Sequence, residues 1–204
     1  MNLRQIGKSG RPDNLNEAMA KNDLTFDLHA MLSQRIDMND VEAIRVYTHG
    51  KESDVRKEEL YRVMMDDESR AGGNAAWIFS HFTEEDNEWL FSKRQELINA
   101  VMCTENITKR RIMMTLLERQ PFAIEDFRSD YLNFCFNHMA MLEEPYGIRA
   151  LCMKQAFVQC SLVPELLPEL EATLQLMDDN FLSSGLRTAK RNVLKKIKGI
   201  RKNL

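Results

Sequence analysis

RAGGNAAWIFSHF from Arg70, RRIMMTLLERQPF from Arg110, RALCMKQAFVQCSL from Arg149 and RTAKRNVLKKI from Arg187 share one helical pattern, and their starts lie 40, 39 and 38 residues apart. Seven positions after each leading arginine stands an apolar residue, Trp77, Leu117, Ala156 and Leu194, and two positions after it a small or apolar one, Gly72, Ile112, Leu151 and Ala189. Each of the first three is followed by a second amphipathic pattern. These run over 86–102 with Leu90, Leu97 and Val101, over 125–141 with Phe127, Tyr131, Phe134 and Cys135, and over 164–177 with Leu166, Leu170, Leu174 and Met177. A helical pair recurring at this interval cannot bury its apolar faces alone, so the pattern predicts stacked α-hairpins.

Composition agrees. The chain has 204 residues, 44% of them hydrophobic and 29% charged, with only 8 Gly and 5 Pro. It is short of the residues that form turns and interrupt helices, and sustained strand-type alternation is absent. Outside the four segments, Leu24, Leu28, Leu32 and Ile36 lie at i, i+4 spacing; Asn39 with Glu42 reads as a helix start, and Thr83 with Asp86 as a capping box. Residues 1–14 are polar and contain Gly7, Gly10 and Pro12, which predicts a loose lead-in. The fold class read from the chain is all-α, an α-α superhelix of about four to five hairpins wound right-handedly over residues 15–204, closed by a basic capping helix over 182–198.

A period near 40 with paired helices resembles HEAT and armadillo repeats. The stretch from Ser69 to Leu204 is similar to a group of small bacterial HEAT-like proteins through NAAWIFSH, KRRIMMTLLE, LNFCFN, YGIRALCMKQAF, PELLPELE and SSGLRTAKRNVLKKI. Sequences of this kind are sometimes labelled adenylosuccinate lyase, but the Gly-rich, Met-containing lyase loop has no counterpart here. The resemblance implies an armadillo-like scaffold and carries no activity with it.

Charge is unevenly placed. Residues 182–204 hold eight Lys or Arg and no acid, leaving 20 of the 28 basic residues against all 31 acidic ones before them, a balance of −11. An acidic body ending in a basic helix suits an acidic partner, a phosphate backbone or a solvated cap. The recurrent arginines Arg70, Arg110, Arg149 and Arg187 read either as a ladder that pairs with carboxylates or caps neighbouring helices, or as an anion-binding row. Glu105 and Glu144, each five positions before an arginine, are candidate ladder partners.

The catalytic inventory leans away from an enzyme. Gly7-Lys8-Ser9 has Asn2 where a phosphate loop needs glycine, His29, His49, His81 and His138 form no metal-ligand pair, and nucleophile-elbow and dinucleotide motifs do not occur. Cys103, Cys135, Cys152 and Cys160 have no zinc spacing and read as buried thiols. No cofactor or metal is predicted. Met64, Met65, Met113, Met114, Met139, Met141 and Met153 sit at helical spacing with other apolar residues and read as core filling. Some HEAT-like proteins resemble DNA glycosylases that use tryptophan and an acid; here Trp77 and Trp89 lie near Glu85, Asp86 and Glu88, but these acids suit a helix start. No apolar run reaches the roughly 20 residues that span a bilayer, and MNLRQIGKSGRPD lacks a signal-peptide core, so a cytoplasmic location is expected.

Two functions follow as expectations. The first is a non-catalytic scaffold binding a protein or peptide along a surface lined by the second helices. The alternative is a nucleic-acid-binding protein, or a glycosylase-like enzyme, using Arg187, Lys190, Arg191, Lys195 and Lys196 with the arginine row. Trp77 and His81, one turn apart, are further candidate binding residues, although a packed or capping histidine fits the same spacing.

Overall fold

The computed structural model describes residues 27–66 and 69–201. The predicted lead-in and Leu24 lie outside them. Among the described residues every regular element is helical: α1 (Leu28–Leu32), α2 (Met38–Tyr47), α3 (Asp54–Asp66), α4 (Arg70–Ser80), α5 (Glu84–Glu88), α6 (Arg94–Cys103), α7 (Ile107–Glu118), α8 (Ser129–Ala140), α9 (Tyr146–Leu162), α10 (Leu167–Leu176) and α11 (Ser184–Arg201), joined in places by short 3-10 turns.

The stack has two rows. Helices α4, α7, α9 and α11 pack successively side by side as first helices, and α6, α8 and α10 pack beside them as second helices. The chain is therefore an all-α helical repeat solenoid. Its core is one continuous cluster running from Leu28 through Phe79, Leu97, Met113, Tyr131 and Cys152 to Ile197. Rings fill the N-terminal end: Phe79 stacks on Trp89 with centroids 6.3 Å apart and meets Tyr61 edge-on.

Local chemistry sets the helix ends. The start of α2 is capped by Asp37, whose carboxylate accepts from the Asn39 and Asp40 N–H groups while Asp40 reaches back, so the box lies two residues before the predicted Asn39. Thr83 does cap α5, accepting from the Asp86 N–H at 3.2 Å. The buried Asp86 carboxylate accepts from the Thr83 hydroxyl at 3.0 Å and also meets His49 Nδ1 at 2.7 Å, the Gly50 N–H at 3.0 Å and Lys57 Nζ at 3.3 Å. Gly50, at φ +86°, makes this turn possible, because residues with a Cβ rarely adopt that backbone conformation.

The caps also fix the repeat register. Arg110, Arg149 and Arg187 are each the fourth residue of their helix, whereas Arg70 is the first of α4 and the fourth position there is Gly73. The segment from Arg70 is thus displaced by nearly a turn from the other three.

Candidate functional site

The arginine row divides into residues turned inward and residues turned outward. Arg149, 2% exposed, donates from Nε to the Met139 carbonyl near the end of α8 at 3.0 Å. Arg110 donates from Nε to the Val101 carbonyl at 3.1 Å and from another nitrogen to the Thr104 carbonyl, both at the end of α6. Lysines do the same elsewhere. Lys109 reaches the Met65 carbonyl of α3 at 3.3 Å, and Lys190 reaches the Met177 carbonyl after α10 at 2.6 Å and Asp179 at 2.7 Å. The last carbonyls of a helix lack partners within it and carry the negative end of its dipole, so a buried cation there satisfies both. Arg110, Arg149 and Lys190 therefore lock each first helix to the second helix before it, which removes them from any binding row. Glu144 stands 3.7 Å from Arg110 and 2.9 Å from His138, so it pairs one repeat back and not with the arginine that follows it.

Arg187 escapes this role for a geometric reason. The connections leading into α7 and α9 span residues 104–106 and 141–145, but the one into α11 spans 177–183 and contains a 3-10 turn, Asp179–Phe181. The longer connection shifts the rung one turn onward, to Lys190.

Charge also differs between the first helices and the last second-helix segment. Helices α4, α7, α9 and α11 carry thirteen Lys or Arg and one acid, Glu118, whereas residues 164–181 carry five acids and no base. Several cations among the described residues face a carboxylate, as in Arg94–Asp126 at 2.5 Å, Lys154–Glu118 at 2.9 Å and Arg201–Glu171 at 2.7 Å. Asp126 shows the consequence: burial pushes its carboxyl up, and the bond from Arg94 with its neighbours outweighs this and holds it below the usual range. By contrast Arg70, Arg111, Arg187, Arg191, Lys195 and Lys198 are exposed and make no ion pair or side-chain hydrogen bond among the described residues. All six belong to the first-helix row.

Four of them share one surface. Arg187, Arg191, Lys195 and Lys198 line the outer side of α11 with Ser184, Thr188, Leu194, Lys190 and Asp179. At 1.5 Å rise per residue they form a stripe about 16 Å long. Lys190 and Arg201 point to the α10 side and Lys196 lies 5.4 Å above the Phe157 ring of α9, so the stripe occupies the remaining arc. On the same terminal hairpin Leu176 and Phe181 are 85% and 77% exposed.

Arg70 and Trp77 line a separate groove of about 380 Å³ between α4 and α7, together with Gly73, Asn74, Asn106, Thr108, Arg111 and Ile112. His81 caps the end of α4, its ring edge-on to Trp77 with centroids 5.6 Å apart. It does not line the groove. Sequence reading missed Arg111 and Lys198. The second arginine of the KRR run lies about 100° round the helix from Arg110, and Lys198 continues the 187, 191, 195 stripe, so both were accessible from helical spacing.

No helix of the described residues is long and apolar enough to cross a membrane. No curated protein and no solved structure gives a match to the chain. The HEAT repeat domain matches residues 28–197, which takes in every hairpin of the stack. By that match, and by the paired helices that underlie it, the chain belongs to the HEAT repeat family.

Proposed function

We propose that this HEAT repeat chain is a non-catalytic scaffold that binds an acidic protein or peptide segment on the outer side of α11. The observation that carries the reading is the stripe of Arg187, Arg191, Lys195 and Lys198. These are four cations on one arc of one helix, without partners among the described residues, on a terminal hairpin that also exposes Leu176 and Phe181. Cations and exposed apolar side chains on one hairpin suit a protein contact, in which apolar area supplies affinity and charge supplies orientation. The cytoplasm, where such a partner would be met, remains part of the proposal.

A nucleic-acid ligand is the second reading, favoured by Arg70 and Arg111 on the same row. Against it, α9 interrupts the positive face with Gly147, Ala150 and a lysine, Lys154, that is already paired. Phosphate-backbone binding draws on several cations spread along the contact.

The test is capture from native extract by the intact protein, by the triple variant R187E/R191E/K195E and by R70E/R111E. Loss of one and the same partner from the triple variant alone supports the proposal; equal recovery by all three contradicts it. Titration with duplex DNA at about 50 and 200 mM salt decides the second reading, which requires tight binding that falls steeply with salt.

A further inference from the structure

The geometry points to a second binding site, in the groove between α4 and α7, for a small ligand that joins a flat ring to a phosphomonoester. The groove's 380 Å³ lies within the roughly 300–1,000 Å³ typical of small-molecule sites. Among the described residues its walls hold two arginines, Arg70 and Arg111, and no carboxylate. Neither arginine has an ion pair or a side-chain hydrogen bond among the described residues, while Lys109 and Arg110 beside Arg111 are turned into the stack. Arg70 comes from α4 and Arg111 from α7, and a guanidinium fork offers paired N–H donors to the oxygens of a phosphate.

The backbone adds to this. Arg70 is the first residue of α4 and Thr108 the second of α7, so the positive ends of two helices of eleven and twelve residues meet at the groove. The frame is fixed, not adaptable. Asn74 Nδ2 donates to the Leu32 and Gln34 carbonyls at 2.8 and 2.9 Å, and Asn106 Nδ2 donates to the Ser69 carbonyl at 3.3 Å. These bonds tie both walls to their neighbours.

Trp77 supplies the apolar part. It is half-buried and packs on the core while also lining the groove, where an indole face stacks on planar rings. Gly73 stands between Arg70 and Trp77; a Cβ there would meet only Asn106 Nδ2 at 3.8 Å, so the space is open and its depth comes from the missing side chain.

Adenosine monophosphate and O-phosphotyrosine carry this chemistry from two sources, a nucleotide and a phosphorylated peptide. Each is titrated into the unmodified protein by calorimetry, alongside adenosine, tyrosine and inorganic phosphate. Trp77 emission in W89F provides a second readout. Binding of either ring phosphate about tenfold or more tighter than its unphosphorylated ring, with about tenfold weakening in each of R70A and R111A and none in R191A, supports the site. The tighter of the two identifies the source. Absence of heat with both ring phosphates at millimolar concentration, or binding that R70A and R111A leave unchanged, overturns it. The groove is separate from the outer side of α11, so either result leaves the scaffold reading where it stands.

Discussion

Arg149 Nε lies 3.0 Å from the Met139 carbonyl, and one repeat earlier Arg110 Nε lies 3.1 Å from the Val101 carbonyl. Each cation crosses from a first helix to the end of the second helix before it. The recurring arginine is thus a structural rung, and the Lys190–Met177 contact continues the series at the last helix.

The junction around Asp86 makes a second prediction. Burial alone would raise its carboxyl, yet bonds from His49, the Gly50 N–H, Thr83 and Lys57 together hold it below the ordinary 3.8. A carboxyl depressed in the native state stabilises the fold fully above its unfolded value, and the contribution disappears as pH drops through the native value. D86N removes the buried carboxylate partner of the Lys57 ammonium and leaves it only the exposed Asp54 as charge partner among the described residues, at 3.4 Å, which costs about 3 kcal/mol. Urea titrations from pH 7 to 3 should show the wild type losing stability over its acid range more steeply than D86N.

The thiols give a third. Cys103 is exposed, while Cys135, Cys152 and Cys160 are buried. Burial pushes the Cys160 thiol up to about 12 and Cys135 well above its usual range. The thiolate is the reactive form. At pH 8 an aromatic disulfide reagent should therefore modify one cysteine quickly and the other three only on unfolding, and C103S should abolish the fast phase.

Phe79 supports the N-terminal half of the stack. It is fully buried between Tyr61, Phe82 and Trp89. F79A should cost about 3–5 kcal/mol by removing contacts and leaving a cavity. A red shift of Trp89 emission in W77F/F79A relative to W77F would mark the loosened ring cluster.

The repeat was legible because stacking imposes it: each first helix must present the same apolar arc to its neighbour, so Leu117, Ala156 and Leu194 recur at nearly constant spacing. The roles of the arginines were less legible. Whether a fourth-position arginine reaches the preceding helix depends on the intervening connection, and the long 177–183 segment gives the rung to Lys190 and leaves Arg187 outside. Arg70 misled the alignment by standing at the first position of α4, where Gly73 holds the equivalent place. The charge of α11 could be read directly. The facing of Arg70 and Arg111 across a groove could not, since it arises only when α4 and α7 lie side by side.

The division between inward arginines that hold the stack and outward ones left for a partner is tested most directly by the urea midpoints of R149M and R191A. R149M leaves the Met139 carbonyl buried without its donor and should cost about 2–3 kcal/mol. R191A removes an exposed side chain without a partner among the described residues and should stay within about 0.5 kcal/mol of the wild type. Equal losses in the two variants, or a negligible loss in R149M, would contradict the account.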